Sequence, residues 1–327
     1  MKTRIIPLTV SILLLALATF AQLPASAIEK LSDAIRLYEK GSFSQSVEIL
    51  LQETKNSPRD AAVRFWLGKA YLKVQNWKAA VAELEKAVEI EPANAQYHQW
   101  LGRASGERAS RAFVTTAYSM AKQVVREFET ARRLSPEDLS IRFDLLEYYL
   151  QAPGMVGGGR DKAEAEARTI AEIDRRKGYT ARAIIYKADK QWDKAKAELL
   201  KGTHEFPESA AACEDLADYL FGRQDYDGAL EWSRKALTLS PELNYSRFLA
   251  AAAATRLNRD LPTASADLQK LVDGTLSDDD PTFEQVYYQL GENHLARGDK
   301  AKAKAAFQAA LSYNPEYSRA KEALNKL

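Results

Sequence analysis

The sequence is poor in cysteine and histidine, and it has no large excess of either charge. Among 327 residues there is one cysteine, Cys213, which can form neither an internal disulfide nor a cysteine-based zinc site. No two of the three histidines have metal-ligand spacing. Forty-six Lys and Arg against 45 Asp and Glu give a formal charge of +1, without the basic excess that a broad nucleic-acid surface requires. The 15 glycines and 11 prolines are also few, so the composition favours a helix-rich chain.

A long apolar run lies at the amino terminus. Lys2 and Arg4 give a positive start, residues 5–20 are mostly apolar, and Ala25-Ser26-Ala27 places small residues where a signal peptidase reads. The run is short for a bilayer-spanning helix, which needs about 20 residues. We therefore expect a signal peptide over residues 1–27, cut after Ala27, and a periplasmic or secreted mature chain that is not inserted in the membrane. An uncleaved membrane anchor is the alternative.

The rest of the chain repeats with a period of 34 residues. Pro58 and Pro92 are 34 residues apart, as are Pro207 and Pro241. Apolar and small residues recur between the prolines with constant offsets: Leu67, Gly68, Tyr71, Ala80, Leu84, Ala87 and Pro92 correspond to Leu290, Gly291, His294, Ala303, Phe307, Ala310 and Pro315. A third set contains Leu216, Ala217, Tyr226, Ala229, Ala236 and Pro241.

The repeated residues suit pairs of antiparallel helices. Ala80 and Ala87 lie on one helical face and let a neighbouring helix approach, while Leu67 and Leu84 fill the space between the helices. Gly68 removes a Cβ where a neighbour would collide with it. One such pair leaves an apolar face uncovered, so it is stable only when stacked on others.

This pattern resembles the tetratricopeptide repeat, a 34-residue helix-turn-helix, over residues 28–327. The resemblance implies an all-α, right-handed superhelical solenoid of about eight stacked helix pairs. Residues 318–327 are expected to form a C-terminal capping helix. The predicted units are residues 28–60, 61–94, 95–138, 139–174, 176–209, 210–243, 244–282 and 284–317.

Three stretches depart from the repeat: a long helical hairpin at about 95–138, a glycine-rich inter-helix loop at 152–161, and an acidic loop at 273–281. Gly154 and Gly159 have the spacing of a phosphate-binding loop, but Arg160 and Asp161 replace the Lys and the Ser or Thr of that motif. We interpret the loop instead as a helix start, with Asp161 as N-cap and Glu164 completing a capping box. An anion site formed by Gly158, Gly159 and Arg160 is the alternative.

The acidic loop contains Asp278, Asp279 and Asp280, followed by Pro281. It lacks the ligand spacing of an EF-hand calcium loop. We therefore interpret Asp280 as an N-cap before Pro281 at the first helical position, in preference to a calcium site.

The family resemblance also implies that positions two, five, nine, twelve and thirteen of each repeat face a ligand in a concave groove. On this sequence the implied groove residues are Phe65, Lys69, Lys73, Gln99, Arg103, Phe143, Glu147, Glu214, Asp218, Phe248, Tyr288 and Glu292. The groove would be basic in its early part and more acidic later, with aromatic side chains along it. Such side chains are suited to hold an extended peptide or a helix of a partner.

The sequence contains no recognisable catalytic motif, such as a serine nucleophile elbow or an HExxH zinc site. We therefore predict no catalytic residues, no metal, no cofactor and no enzymatic activity, and expect Cys213 to be a buried thiol. The predicted function is a protein-interaction scaffold of the cell envelope that binds a polypeptide, not nucleic acid, in its groove. One alternative is an envelope assembly or accessory protein that acts through its outer face or the long third hairpin. A minor alternative is an enzyme with an unrecognised site.

Overall fold

All regular structure is helical in residues 25–327, the part of the chain that the computed structural model describes. The α-helices are α1 (Ala25–Glu39), α2 (Phe43–Asn56), α3 (Ala61–Lys73), α4 (Trp77–Ile90), α5 (Ala95–Ala109), α6 (Val114–Leu134), α7 (Leu139–Gln151), α8 (Arg160–Ile173), α9 (Arg175–Ala188), α10 (Trp192–Glu205), α11 (Ala210–Gly222), α12 (Tyr226–Leu239), α13 (Asn244–Arg256), α14 (Leu261–Asp273), α15 (Phe283–Ala296), α16 (Lys300–Tyr313) and α17 (Ser318–Asn325). One 3₁₀ turn, Gly154–Val156, lies between α7 and α8.

Consecutive helices form eight pairs, α1–α2 to α15–α16, and α17 packs on the last of them. Each pair also contacts the next, so the apolar face that one pair leaves open is covered by its neighbour. This arrangement confirms the predicted all-α repeat solenoid. The predicted signal peptide lies almost wholly outside the described residues and stays a prediction.

Small residues allow the two helices of a pair to approach closely. Ala80 and Ala87 are completely buried on α4. A Cβ at Gly68 would lie 2.5 Å from Leu84 Cγ, and one at Gly291 would lie 2.4 Å from Phe307 Cε1. The repeating glycine therefore admits the large side chain that the second helix of the pair places in the core.

The turn inside the pairs also repeats. Gln75, Lys190, Gln224 and Asn258 all have positive φ, between 52° and 63°, just before the second helix of their pairs. Gln75 follows Gly41, which is also left-handed, by 34 residues. The tight reversal requires one left-handed residue, and only some units use the glycine that adopts this conformation without strain.

The third pair carries most of its extra length in its second helix. Helix α5 has 15 residues and α6 has 21, whereas α3 and α4 have 13 and 14. The third pair is not helical throughout its extra length, because residues 110–113 form a turn between α5 and α6. Phe113 stands at this tip and is 90% exposed.

Two predicted helix starts were wrong. Helix α8 begins at Arg160 with Gly159 as N-cap and without a side-chain cap, so Asp161 lies inside the first turn. Helix α15 begins at Phe283 with Thr282 as N-cap, and the Thr282 amide donates a hydrogen bond of 2.9 Å to Gln285 Oε1. In both cases the helix begins at a different residue because other contacts hold the preceding loop.

No helix in the described region combines the length and the apolar character needed to cross a bilayer.

Candidate functional site

The first helix of each pair lies on the inner side of the solenoid. First helices of successive pairs contact each other at α1–α3, α3–α5, α7–α9, α11–α13 and α13–α15. Such contacts require the first helices to lie at the smaller radius of a curved stack. The groove residues predicted from repeat position are all on these first helices.

The inner face encloses a cavity of about 720 Å³. Helices α3, α5 and α7 form one wall, and residues 276–284 with Tyr313 and Asn314 form the other. The cavity exists because the seventh and eighth pairs return to the first and second. Charged and aromatic side chains both line it, among them Lys73, Trp100, Arg103, Glu147 and Tyr148.

Residues 274–282, which join α14 to α15 and are here called the closing segment, bridge the two ends of the solenoid. The Leu276 amide donates a hydrogen bond of 3.0 Å to the carbonyl oxygen of Glu39 at the end of α1. Beside this segment, Gln75 Nε2 donates to Asn314 Oδ1 at 2.6 Å. These contacts join residues more than 230 positions apart in the sequence.

At the centre of this closure, Asp278 accepts contacts from three side chains, Tyr38, Lys69 and Lys73, which we call the carboxylate site. Asp278 Oδ2 is 2.6 Å from Lys69 Nζ, and Oδ1 is 3.2 Å from Lys73 Nζ. The Tyr38 hydroxyl donates to Oδ1 at 2.6 Å. Three donors, two of them charged, therefore converge on this one carboxylate from the first two pairs.

Lys69 is 5% exposed, and aromatic rings surround its ammonium group. Its Nζ lies 4.1 Å from the ring centroid of Trp66 and 4.4 Å from that of Trp100. Burial lowers the pKa of Lys69, although the nearby Asp278 opposes this shift. Burial by itself would raise the pKa of Asp278, but Lys69 and Lys73 together lower it. The pair is therefore held in its charged form by mutual contact.

Arg103 and Gln99 form a second polar cluster along the same face. Arg103 Nε donates to Asp144 Oδ2 at 2.9 Å, and Gln99 Nε2 donates to the same oxygen at 2.7 Å. Gln99 also donates to Ser140 Oγ at 2.8 Å. These bonds connect α5 to α7, so they tie neighbouring pairs together. Gln99 is 5% exposed, whereas Arg103 keeps an accessible surface in the cavity.

Glu147 projects from α7 into the cavity and forms no side-chain hydrogen bond or ion pair with another described residue. It remains exposed, yet the concave wall around it is dense enough that burial raises its pKa, with a smaller contribution from Asp144. Phe143, one turn earlier, is partly buried against its neighbours. Glu147 is thus an acidic group that is available to a basic or hydrogen-bonding ligand.

The predicted acidic groove residues of the later units bond to a neighbouring pair. The Ser246 hydroxyl donates to Glu214 at 2.7 Å, and the Tyr245 hydroxyl donates to Asp218 at 2.6 Å. Glu292 Oε2 lies 3.0 Å from Arg256 Nη1. The acidic later part of the groove is therefore largely paired within the chain.

Three predicted aromatic groove residues are in the core. Phe65 is 3% exposed and packs against Tyr97 and Trp100 with centroid distances of 4.8 and 6.3 Å. Phe248 and Tyr288 are each 8% exposed. In this structure they support the inner face and offer little surface to a ligand, because the adjacent pair covers them.

The glycine-rich loop offers no free amides at Gly158 and Gly159. The Gly158 amide donates to Pro153 O at 3.2 Å, and the Gly159 amide donates to Tyr149 O at 2.9 Å. Arg160 is already paired with Glu164 and Asp189. The anion-site alternative is therefore wrong for this structure, since its donors are engaged.

The side chains considered for chemistry are structural. Cys213 is completely buried and unpaired, and burial raises its pKa, as expected for an inert thiol. His98 is buried, with Nδ1 at 2.7 Å from Glu127 and Nε2 at 3.0 Å from the carbonyl oxygen of Pro92. In residues 25–327 no three His, Cys, Asp or Glu side chains are grouped so that they could hold a metal ion.

Sequence reasoning found Lys73, Arg103 and Glu147, which line the cavity, and Lys69, which contacts Asp278 beside it. It missed Tyr38 and Asp278. In the sequence, Asp278 is only part of an acidic run. Asp280, the expected N-cap of the following helix, instead accepts hydrogen bonds from Ser277 and Asn244. The sequence held one signal for the contact of Asp278 with the lysines: the loop at 273–281 is acidic, and the early part of the groove was expected to be basic.

Comparison with known proteins agrees with this architecture. Family models described as tetratricopeptide repeat match residues 24–104, 180–244 and 284–317. Yeast Tom70 is 18% identical, with a TM-score of 0.61 over 94% of this chain and 65% of Tom70, so this chain spans just under two thirds of that protein's length. At this identity the likeness shows the fold alone.

Two further solved structures are similar at TM-scores below 0.5. A chain of the APC/C hetero-tetramer Cut9–Hcn1 is 15% identical, with a TM-score of 0.48 over 91% of this chain and 55% of that one. A thermophilic repeat protein of Thermus thermophilus is 18% identical, with a TM-score of 0.42 over 69% of this chain and 98% of that one.

Proposed function

Because this chain belongs to the tetratricopeptide repeat family, we propose that it is a non-catalytic scaffold that binds an extended segment of a partner polypeptide in the cavity lined by α3, α5 and α7. The observation that carries the proposal is the cavity itself. Its volume of about 720 Å³ lies within the range of about 300–1,000 Å³ that is usual for ligand sites.

The side chains that face the cavity suit a peptide better than an apolar small molecule. Glu147 and Gln151 are exposed in it and are free to bond to backbone amides or to a basic side chain. Tyr148, which is partly buried, adds aromatic surface, and Arg103 adds a donor of opposite charge. Polar groups of both kinds beside aromatic rings are what an extended peptide requires for backbone bonds and side-chain packing.

We propose further that the mature protein works in the cell envelope, in the periplasm or outside the cell. The support is the amino-terminal pattern of Lys2 and Arg4, an apolar run and Ala25-Ser26-Ala27. Amino-terminal sequencing of the protein purified from its native host tests this location. A first residue of Ile28 is expected, and an intact Met1 in a cytosolic fraction would contradict the proposal.

Peptide selection on purified residues 28–327 tests the binding function. Peptides from a random library are measured against wild-type protein and against Glu147→Lys, which reverses a charge in the cavity. Glu172→Lys is the matched control, because Glu172 is exposed on α8 and does not line the cavity. We expect Glu147→Lys to weaken binding about tenfold or more, as loss of a charge-assisted bond does.

Two results would contradict binding in the cavity. Selected peptides that bind wild-type protein and Glu147→Lys with the same affinity do not use the cavity. A selection that yields no saturable binder also counts against it.

A second candidate function uses the tip of the third hairpin, as the outer-face alternative predicted. Phe113 is 90% exposed there, and Tyr118 in the next turn is 41% exposed. Contiguous exposed apolar surface, rather than a single exposed side chain, is typical of interaction sites. If this tip is the binding surface, Phe113→Ser abolishes partner recovery and Glu147→Lys does not change it.

A further inference from the structure

Lys69 is a buried cation that requires an anion. Its side chain is 6% exposed, and besides Asp278 its close surroundings are aromatic rings and the like-charged Lys73. An unpaired buried ammonium is strongly unfavourable, and rings alone offset only part of its lost hydration. Tyr38 and Lys73 direct further donors at the same point. The inner face of the first two pairs is thus built around one carboxylate.

The carboxylate that fills this position comes from a loop. The closing segment contains no regular secondary structure except turns. Its conformation is held by hydrogen bonds within the segment and to α13, in the seventh pair. Ser277 donates to Asp280 through both its amide and its hydroxyl, at 2.8 and 2.9 Å, and Asn244 donates to Asp280 at 3.1 Å. These bonds do not reach across to the first pairs.

Two polar groups of the segment reach across to the first pairs. They are the Leu276 amide, which bonds to Glu39, and the Asp278 carboxylate. Asp279, between two bonded neighbours, is exposed and forms no hydrogen bond or ion pair with another described residue. The polar contacts between the segment and the first pairs are thus one backbone bond and one carboxylate, while the Leu276 side chain, 6% exposed, packs in the hydrophobic core.

We propose that Tyr38, Lys69 and Lys73 form a carboxylate-binding site that the chain's own Asp278 fills, and that an acidic segment of a partner polypeptide competes with the closing segment for it. This inference deepens the proposed function and rests on it. It assigns to the partner peptide an acidic side chain at the edge of the cavity, where Lys73 and Asp278 are both lining residues, in addition to the group that bonds to Glu147.

Because Asp278 occupies the carboxylate site, it also limits how tightly a partner can bind there. A tethered ligand acts at an effective concentration in the millimolar range, so a partner must exceed that competition. The apparent affinity of an acidic peptide is reduced by the fraction of molecules whose site is open. Removing the Asp278 charge should therefore open the site to acidic peptides added in solution.

The test uses a synthetic peptide of residues 275–282 as the acidic probe, with purified residues 28–327 as the protein. Three proteins are compared: wild type, Asp278→Asn, and Asp279→Asn, which makes the same charge change one residue away. We expect the peptide to bind Asp278→Asn about tenfold tighter than wild type or Asp279→Asn. In the peptide, Asp278→Asn should weaken binding about tenfold, and Asp279→Asn should change it little.

Two further measurements identify the site. Lys69→Met and Lys73→Met, introduced into the Asp278→Asn protein and confirmed as folded by circular dichroism, should each weaken binding of the probe. Hydrogen exchange at the Leu276 amide should become faster when the probe binds wild-type protein, because the bond to Glu39 is lost with the closing segment.

The inference is overturned if folded Asp278→Asn protein binds the probe no tighter than Asp279→Asn protein, or if the two lysine variants bind it as well as their parent. Library peptides that depend on Glu147, together with failure of the acidic probe, would leave the proposed function standing and remove this inference. Binding of the probe without any cavity-dependent library peptide would support the carboxylate site and remove the proposed function.

Discussion

Replacement of Asp278 by Asn gives the sharpest test of the closure in terms of stability. The substitution keeps the size of the side chain and one acceptor oxygen, but it removes the charge that faces Lys69 and Lys73. Lys69 is left as an ammonium whose side chain is 6% exposed, without an anion. Asp279→Asn is the matched control, since Asp279 is exposed beside it.

The expected magnitude follows from the burial of the two partners. Removing one partner of a fully buried ion pair costs about 3–5 kcal/mol. The Asp278 side chain is 21% exposed, which reduces this loss, and the Trp66 and Trp100 rings retain up to about 2 kcal/mol of attraction for the ammonium. We therefore expect Asp278→Asn to lower the free energy needed to release the closing segment by about 2 kcal/mol, against less than about 0.5 kcal/mol for Asp279→Asn.

Urea unfolding followed by circular dichroism, together with hydrogen exchange at the Leu276 amide, measures this loss. A double-mutant cycle with Lys69→Met should give a coupling energy of about 1–2 kcal/mol, because the two side chains are in direct contact. The pKa of Asp278 is lowered in the folded state, so its contribution is complete above the unfolded pKa of about 3.9 and is lost as the pH falls through the folded pKa.

The difference between wild type and Asp278→Asn should accordingly disappear in strong acid. The reasoning is refuted if Asp278→Asn and Asp279→Asn are equally stable at pH 7, or if the effects of Asp278→Asn and Lys69→Met are additive.

Three other measurements test the fold and the cavity. Gly291→Ala should destabilise the protein by about 1–3 kcal/mol because its Cβ would lie 2.4 Å from Phe307 Cε1, whereas Gly154→Ala, with no atom within 4 Å, should be neutral in thermal melts. Cys213 should react with a thiol reagent only as fast as the protein unfolds, and reaction within seconds in native buffer would show that the thiol is not buried. Burial raises the pKa of Glu147 above its unfolded value, so its charge opposes folding at higher pH; Glu147→Gln should stabilise the protein at pH 7 by less than about 1 kcal/mol, and the gain should vanish below about pH 4, where both states are protonated.

The residues that identify the fold act over short distances, which is why they could be found in the sequence. Ala80, Leu84 and Gly68 meet inside one helix pair, and the same contact recurs when the same residue types return after 34 positions. Helix starts were harder to place, because Thr282 and Asp280 are both good N-caps and the loop geometry chose between them.

The candidate site could be predicted only in part. Repeat position correctly brought Lys69, Lys73, Arg103 and Glu147 to one face, because each first helix presents the same side inward. It did not reveal that Phe65 is buried, since that depends on the rings of Tyr97 and Trp100 in the following pair.

The 34-residue order of small and large side chains alone determined the helix pairs and their stacking, because those contacts are made between neighbours in the chain. The meeting of Asp278 with Tyr38 and Lys69 was decided by the tertiary structure, since it joins residues 240 and 209 positions apart. Small rotations between successive pairs add up along the stack, and only their sum brings the seventh pair back to the first. No local pattern in the sequence carries that sum.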